Sequence, residues 1–192
     1  MSYRPDVLAN VVRVLGPKAR WAFFCPLLPN ALAPTHGALN TLAEIRRVAA
    51  SDTVPLRHAV LWPSHPVAHV LLPEDASGLH YGAFLRGSPG PVAVVSVFVD
   101  PLPPSGDPAP PGDVARFRKF ACDPAHQGKG VGTALLKRAF DAAAAEMKCA
   151  TIWCDARLSA AGWYERRGMV RFGEVFFKGD VEYVRMKKAL GE

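Results

Sequence analysis

Three glycines alternate with other residues in the segment 127–133, Gln-Gly-Lys-Gly-Val-Gly-Thr, and this spacing suits the binding of an anion. Glycine lets the backbone approach a ligand closely, and the free N–H groups at the start of a helix favour negative charge. A dinucleotide fingerprint would need a glycine where Thr133 lies, and a nucleotide-binding P-loop would need Gly-Lys followed by serine or threonine. The segment therefore predicts an anion-binding turn of another kind, although an ordinary glycine-rich turn would also explain the glycines.

The chain on either side of this turn predicts the elements that hold it in place. Residues 114–122 form an apolar run typical of a strand, which Asp123 and Pro124 end. Residues 133–148 carry apolar side chains at helical spacing, and residues 150–155 predict a second strand, parallel to the first. The apolar positions of the helix are Leu135, Leu136, Ala139, Phe140, Ala143 and Met147. We expect a strand, a tight turn and a helix that packs on a sheet.

Further elements are predicted toward the C-terminus. Ser159 is suited to cap a helix over residues 160–167, and Gly168 is placed to end that helix in the left-handed conformation. Residues 170–177 and 181–186 predict two strands of a hairpin joined by a glycine-containing turn. A helix followed by a hairpin therefore completes the sheet.

These motifs, in this order, resemble the GNAT family of N-acetyltransferases. The segment that begins at Gln127 is similar to the family motif Gln/Arg-x-x-Gly-x-Gly/Ala, which wraps the pyrophosphate of acetyl-CoA. Further similarity lies in Cys-Asp-Ala-Arg at 154–157 and Trp-Tyr-Glu-Arg-Arg-Gly-Met at 163–169. The terminal hairpin, with Glu174 and Met186, also resembles the family pattern.

The resemblance covers about residues 44–189 and implies the fold. It implies an α/β domain with a mixed, largely antiparallel sheet that is flanked by helices and splayed between the fourth and fifth strands. The splay implies a notch between residues 118–122 and 152–155, which admits the pantetheine arm of the coenzyme. The family's upstream elements correspond to residues 44–48 as the first strand, 52–62 as the first helix, and 79–84 and 92–99 as the second and third strands.

The resemblance also implies an activity. We expect an acyltransferase that uses acetyl-CoA as co-substrate, without a metal, to acetylate the primary amine of a small molecule. An amino sugar such as glucosamine and a polyamine are the leading acceptors, and direct transfer in a ternary complex is the expected route. The alternatives are a protein or peptide N-acetyltransferase and a non-catalytic acyl-CoA-binding module.

The coenzyme-binding residues follow from the same resemblance. Backbone N–H groups of the glycine turn are expected to bind the diphosphate, and backbone groups at the end of the preceding strand are expected to bind the pantetheine amides. The expected contacts of the turn are Gln127, Gly128, Lys129, Gly130, Val131, Gly132 and Thr133, and those of the strand are Phe120, Ala121 and Cys122.

Acetyl transfer to an amine needs a base to free the amine lone pair and an acid to protonate the departing thiolate. Tyr164 matches the family tyrosine that points at the coenzyme sulfur, so its phenol is the candidate acid; a plain core aromatic is the alternative. Asp155, where relatives often carry asparagine, and Glu174 on the hairpin are the other catalytic candidates. Arg118 and Glu174 are candidates for binding the acceptor, although either side chain could simply face solvent.

Cysteine and histidine positions argue against two other chemistries. A ping-pong reaction through Cys122 is disfavoured because His126 lies across Pro124 and cannot be assumed to activate the thiol. His65 and His69 have i,i+4 spacing, but the proline between them argues against a helix that would bring them together at a metal. The four cysteines, Cys25, Cys122, Cys149 and Cys154, lack paired CxxC spacing, so we expect reduced thiols.

Composition limits the class of protein. The chain has 192 residues, enough for one domain, and its 49% hydrophobic content excludes a disordered class. The net charge is +6, but no run of Lys and Arg with interleaved aromatics is present, so a nucleic-acid partner is not expected. No apolar stretch is long enough to cross a bilayer, so no membrane partner is expected either. The expected state is a monomer or homodimer.

Two segments fall outside the predicted core. Residues 1–40 are predicted as an N-terminal extension, with residues 7–15 as a possible amphipathic helix, and residues 41–192 as the acetyltransferase domain. A cytoplasmic location is expected, while the basic, acid-poor extension also fits a mitochondrial transit peptide. The proline-rich residues 101–113 predict a surface loop between the third and fourth strands, with a substrate lid as the alternative.

Overall fold

A computed structural model of the chain describes residues 43–104 and 110–191, so the predicted extension and part of the proline-rich loop lie outside the described residues. Seven strands form one sheet in the order β1-β2-β3-β4-β5-β7-β6, and only the β4–β5 pair is parallel. The mixed, largely antiparallel sheet confirms the predicted fold class. The strands are β1 (Glu44–Arg47), β2 (Leu79–Phe84), β3 (Ala93–Val99), β4 (Val114–Cys122), β5 (Thr151–Arg157), β6 (Val170–Lys178) and β7 (Val181–Ala189).

Helices cover both faces of this sheet. They are α1 (Ala50–Leu61), α2 (Val131–Ala145) and α3 (Ala161–Glu165). Side chains of a strand alternate between the two faces. In β4, Ala115 and Phe117 belong to the core under α2. The alternating residues Arg116 and Arg118 therefore point to the other face of the sheet, on which α1 lies. None of the described helices is long and apolar enough to cross a membrane.

The core under α2 fixes the position of the glycine turn. The buried stripe of α2 consists of Val131, Leu135, Leu136, Ala139, Ala142 and Ala143, spaced as an amphipathic helix requires. These side chains pack with buried residues of the central strands, such as Val95, Phe117 and Ile152. Because this contact fixes the helix on the sheet, it also fixes the turn that precedes the helix.

The sheet opens between β4 and β5, as predicted. The two strands pair only at Val114–Thr151, Ala115–Ile152 and Arg116–Trp153. Beyond this point β5 continues to pair with β7 on its other side, while the facing edge of β4 is left open. The opening therefore lies between residues 117–122 and 154–157, and the expectation that it begins at Ile152 was wrong, because Ile152 is still paired.

A bulge in β4 lies beside this opening. Val94 of β3 faces Ala121 and Ser96 faces Arg118, so the single residue between them in β3 lies opposite two residues of β4, Lys119 and Phe120. Lys119 has a φ of 52°, a left-handed conformation that costs a non-glycine residue about 1–3 kcal/mol. Bulges of this kind re-aim side chains next to functional sites.

The C-terminal elements are close to those predicted, with one error. Gly168 has a φ of 78° and Gly179 in the hairpin turn a φ of 60°, as their predicted roles require. Helix α3 is shorter than predicted, and the residue at its start is Ala160, without a side-chain cap. The predicted cap by Ser159 was wrong, because a 3-10 turn over Leu158–Ala160 joins β5 directly to the helix.

A buried ion pair joins α1 to the segment that follows it. The fully buried Arg57 donates hydrogen bonds of 2.8 and 2.9 Å to both carboxylate oxygens of Asp75, and one of 2.5 Å to Ser96 Oγ. His80 completes the network, with its Nδ1 2.7 Å from Ser96 Oγ and its Nε2 2.8 Å from the Asp75 carbonyl oxygen. This network fixes the segment between α1 and β2 against the sheet.

We expect Asp75→Asn to lower the free energy of unfolding by about 2–3 kcal/mol, because it leaves the buried guanidinium of Arg57 without a counter-charge. Burial raises the pKa of Asp75, but the hydrogen bonds from Arg57 and Leu72 and the charge of Arg57 outweigh it, so the net pKa is lowered. The contribution should therefore be full above about pH 4 and be lost as the pH falls through the folded-state pKa. Urea unfolding at several pH values measures it.

The control for this prediction is Asp141→Asn, which removes an exposed i,i+4 pair with Lys137 and should cost about 0.5 kcal/mol or less. Equal, small losses in the two variants would show that the Arg57–Asp75 pair does not stabilise the fold.

Candidate functional site

A cleft of about 960 Å³ passes through the opening between β4 and β5. From the α2 face it is lined by the glycine turn and by Phe117, Phe120, Trp163 and Tyr164. From the α1 face it is lined by the end of α1 and the segment after it, and by charged side chains of β4 and β5. One continuous space therefore connects the glycine turn to a charged surface on the opposite face of the sheet.

The glycine turn has the backbone geometry of an anion-binding turn. Gly128 has a φ of 72° and Gly130 a φ of 82°, and Gly130 is the N-cap residue, directly before the first residue of α2. A Cβ atom at Gly130 would meet no described atom within 4 Å, so the glycine faces open space. The Gln127 side chain donates a 3.0 Å hydrogen bond to the Cys122 carbonyl oxygen, which holds the turn against the end of β4. The free N–H groups and the helix dipole therefore favour negative charge here.

Arg167 adds a cation to this end of the cleft, and sequence reasoning missed it. Its guanidinium lies 3.6 Å from the centre of the Trp163 ring and donates to the Trp163 carbonyl oxygen at 2.6 Å. It also donates to Thr133 Oγ1 at 2.7 and 3.1 Å. The only sequence signal was an arginine at i+4 from Trp163, a spacing that places both on one side of a helical turn.

Aromatic side chains form the walls of the opening. Phe120 packs against Trp163 with ring centres 5.7 Å apart, and Phe117 packs against Tyr164 at 5.8 Å. A Cβ atom at Gly132 would lie 3.4 Å from the Phe120 ring, so only a small residue fits without displacing that wall. The opening is therefore lined by aromatic side chains on its α2 side. The backbone edge of β4 that borders the opening is not paired with β5.

Tyr164 lines the cleft beside Phe117 and Trp163. The residue is 8% exposed, and its hydroxyl makes no hydrogen bond with a residue in the described part of the chain. Burial raises the pKa of Tyr164 well above its usual value, and the nearby Cys154 raises it further. The phenol therefore stays protonated at neutral pH and can donate a proton into the cleft.

Asp155 is held by cations. Arg116 donates to its Oδ2 at 2.5 Å and Lys178 at 2.6 Å, while Arg185 lies 3.9 Å from Oδ1. Arg116 also pairs with Asp100 at 3.0 Å and lies over the Trp153 ring. The partners come from the three strands β4, β6 and β7, and sequence reasoning missed them because they meet only through the pairing of β4, β5, β7 and β6 in the sheet.

The segment after α1 forms the wall on the α1 face. The rings of Trp62, His65 and His69 lie together, with centres 4.6–4.9 Å apart. As predicted, no α-helix joins the two histidines, but a 3-10 turn that starts after Pro66 folds His69 back toward His65. No group of three or more potential metal ligands is found among the described residues.

The structure places most of the predicted site residues in one cleft. Lys129 is exposed and Val131 is buried under α2, so their side chains do not line the cleft. Glu174 does not line it either: it is exposed in the irregular stretch of β6 between Phe172 and Phe176. The predicted residues that do line it are Arg118, Phe120, Ala121, Cys122, Gln127, Gly128, Gly130, Gly132, Thr133, Asp155 and Tyr164.

Cys122 lines the cleft without the surroundings of a nucleophile. Burial raises the pKa of its thiol, and the charge of Asp123 raises it further. Cys122, Cys149 and Cys154 are free thiols in the described residues, while Cys25 lies outside them. A thiolate, the nucleophilic form of cysteine, is therefore disfavoured at Cys122.

Comparison with known proteins finds one family model and a related bacterial protein that agree on the family. A family model described as Acetyltransferase (GNAT) family matches residues 42–169. An uncharacterized N-acetyltransferase of Bacillus subtilis, YitI, is 28% identical over 152 residues, which cover 78% of this chain and 97% of that protein.

Solved structures share the fold. A putative N-acetyltransferase from Lactobacillus plantarum has a TM-score of 0.63 at 19% identity, covering 79% of this chain and 100% of that chain. A chain of the NatC complex bound to Gag peptide and CoA has a TM-score of 0.61 at 14% identity, covering 79% of this chain and 100% of that chain. At these identities the two structures support the fold alone.

Proposed function

The chain belongs to the GNAT family of acyl-CoA-dependent N-acetyltransferases, and from this premise we propose that it transfers the acetyl group of acetyl-CoA to the primary amine of a small molecule. The observation that carries the proposal is Tyr164, which lines the cleft and whose hydroxyl has no hydrogen-bond partner among the described residues; burial raises its pKa well above the usual value, so the phenol keeps its proton at neutral pH. The same cleft holds an anion-binding turn at one end and an open, charged surface at the other.

The proposed position of the coenzyme follows the length of the cleft. The diphosphate binds the N–H groups of the turn from Gln127 to Thr133, with the cation of Arg167 beside it. Lys129 and Val131 contribute backbone N–H groups rather than side chains. The pantetheine arm lies along the open edge of β4, where Phe120, Ala121 and Cys122 offer backbone groups that β5 does not use.

In the proposed reaction the neutral amine nitrogen attacks the thioester carbonyl carbon, and the resulting tetrahedral intermediate expels the coenzyme thiolate as the C–S bond breaks. Tyr164 donates its phenolic proton to that sulfur as it departs; the attacking nitrogen then releases its extra proton to water, and the tyrosinate regains a proton from water. Before the attack, the ammonium form of the acceptor loses a proton to water at the α1 end of the cleft, where His69 and Arg157 are exposed. The raised pKa of Cys122 supports direct transfer over a ping-pong route.

Of the other predicted site residues, Asp155 is proposed to have a positioning role and Glu174 none. Asp155 is proposed to hold Arg116 and Lys178 in place, because its carboxylate already accepts from both. Glu174 is not assigned a role, because it does not line the cleft. Arg118 lines the α1 end of the cleft, which is the proposed acceptor end, and pairs with Glu74 at 2.7 Å.

A small acceptor is favoured over a peptide by the shape of the acceptor end. Side chains from three elements line it and narrow it: Trp62 after α1, Lys178 at the end of β6, and Tyr183 in β7. An extended peptide would need a groove that is open at both ends beside the thioester.

Incubation with acetyl-CoA and a panel of amino sugars, polyamines, amino acids and peptides tests the proposal. We expect release of free thiol that depends on a small amine, with one N-acetylated product formed per thiol. The readouts are a thiol reagent and mass spectrometry of the acceptor. Turnover of peptides alone would contradict a small acceptor, and no turnover with retained binding of acetyl-CoA would favour the non-catalytic binding module.

A further inference from the structure

The cleft carries an excess of positive charge. Its described lining includes Arg116, Arg118, Lys119, Arg157, Arg167 and Lys178, but Asp155 is the one carboxylate among them. Arg167 lies beside the glycine turn, whereas the other five cations belong to β4, β5 and the β6–β7 hairpin. The acceptor end is therefore cationic in its own right, apart from the end that binds the coenzyme diphosphate.

Two of the five cations at the acceptor end have no carboxylate partner among the described residues. Lys119 donates to the carbonyl oxygen of His69 at 3.2 Å, and Arg157 donates to that of Leu61 at 3.5 Å. By contrast, Arg116 and Lys178 pair with Asp155, and Arg118 pairs with Glu74. Lys119 and Arg157 thus carry positive charge that the described part of the chain does not neutralise by an ion pair.

The two side chains converge on one place. Lys119 comes from β4 and Arg157 from β5, the two strands that separate at the opening. Arg157 reaches Leu61, the last residue of α1, and Lys119 reaches His69, whose ring lies 4.6 Å from the ring of Trp62, the residue after Leu61. The two cations therefore contact the two ends of the aromatic wall formed by Trp62 and His69.

The surroundings of Lys119 are unfavourable for an isolated ammonium. Burial lowers its pKa, and the positive charges of Arg118, Arg57 and Lys178 lower it further, with Asp75 opposing them. Its backbone is held in the left-handed conformation by the bulge. A bound anion would offset the repulsion among these cations.

We propose that the acceptor amine carries an anionic group, a carboxylate or a phosphate, which binds between Lys119 and Arg157 at the α1 end of the cleft. This inference rests on the proposed acetyl transfer and narrows its acceptor. A neutral amino sugar would leave the two cations without a counter-charge, and a polyamine would add positive charge where it already accumulates. An amino acid or a phosphorylated amine matches the site.

Matched pairs of acceptors test the inference. Each pair shares a scaffold and differs by the anion: an amino acid and its amide for the carboxylate, and glucosamine 6-phosphate and glucosamine for the phosphate. Putrescine serves as the cationic amine. We compare the scaffold that is turned over fastest, and we correct kcat/KM for the fraction of acceptor whose amine is unprotonated. The corrected kcat/KM should be about tenfold or more higher for the anionic member of the pair than for the neutral member. The pair with the larger ratio identifies the group as carboxylate or phosphate.

Substitutions at the two cations locate the effect. Lys119→Gln and Arg157→Gln should each lower the ratio of anionic to neutral kcat/KM by about tenfold. Lys148→Gln is the matched control, because Lys148 is also a lysine at positive φ, 58°, but is exposed and outside the cleft; its ratio should not change. Arg157→Gln keeps the test valid if the strained Lys119 position does not tolerate glutamine.

The outcomes separate this inference from the proposed function. Equal or better turnover of neutral amines or putrescine would overturn the anionic acceptor but leave acetyl transfer intact. A preference for anions that survives both substitutions would overturn the assigned site. Acetylation of no amine, with acetyl-CoA still bound, would overturn the proposed function and this inference with it.

Discussion

Tyr164→Phe should lower kcat by about 10²–10⁴-fold, the usual contribution of a general acid. The substitution removes only the hydroxyl, which bonds to no described residue, so the packing against Phe117 and Trp163 should persist. The KM for acetyl-CoA should change less than kcat, because the phenol acts mainly as the thiolate departs. Steady-state and single-turnover rates measure the effect.

The pH dependence distinguishes an acid from a structural tyrosine. Because burial raises the pKa of Tyr164 well above its usual value, the phenol stays protonated throughout the neutral and mildly alkaline range. The wild-type rate should therefore show no loss from this group below about pH 10, the ordinary tyrosine pKa. A Tyr164→Phe protein with the wild-type single-turnover rate across that range would leave the hydroxyl without a catalytic role.

Tyr81→Phe is the matched control for Tyr164→Phe. Tyr81 is also buried, and burial together with the hydrogen bond to Glu146 raises its pKa to about 12, but it does not line the cleft. The control should leave kcat unchanged and lower only the stability, because it loses the 2.9 Å hydrogen bond that Tyr81 donates to Glu146.

Gly130→Val should weaken acetyl-CoA binding by about 100-fold while the fold is retained. A side chain at this position would enter the space in front of the turn, where no described atom now lies within 4 Å of a Cβ, and would keep the diphosphate from the N–H groups. Loss of one or two hydrogen bonds to a charged group, about 1.5–3 kcal/mol each, corresponds to a change of this size. Titration calorimetry with acetyl-CoA measures the affinity.

The control for Gly130→Val is Gly87→Val. Gly87 has nearly the same φ, 81°, and is equally open, but it lies in the turn between β2 and β3 and does not line the cleft. Both variants should lose similar stability through backbone strain, and only Gly130→Val should lose affinity. Unchanged affinity in a folded Gly130→Val protein would remove the glycine turn from coenzyme binding.

The sequence predicted those parts of the site that depend on local patterns. Residues 114–122 were predicted as a strand and form β4 with the same bounds, because an apolar run ended by Asp123 and Pro124 is a local signal. The positive φ at Gly168 was likewise predicted, since glycine just after a helix signals that conformation.

Features that depend on long-range register could not be predicted. Asp155 meets Arg116 because β5 pairs with β4, and it meets Lys178 because β7 lies between β5 and β6 and its hairpin with β6 brings the end of β6 close. The bulge at Lys119 has no sequence signal, since a lysine does not favour positive φ. The sequence offered only the i,i+4 spacing of His65 and His69 as a sign that the two side chains lie close together. In the structure a 3-10 turn, not an α-helix, brings them together.

The most direct test of the account is a crystal structure of the protein with coenzyme A. The account predicts that the diphosphate lies on the N–H groups of residues 127–133, with the pantetheine arm in the opening between β4 and β5. It also predicts that the sulfur lies within hydrogen-bond reach of the Tyr164 hydroxyl, about 3–4 Å. Coenzyme bound outside this opening, or a sulfur atom remote from Tyr164, would contradict the claim that this cleft is where the thioester meets the amine.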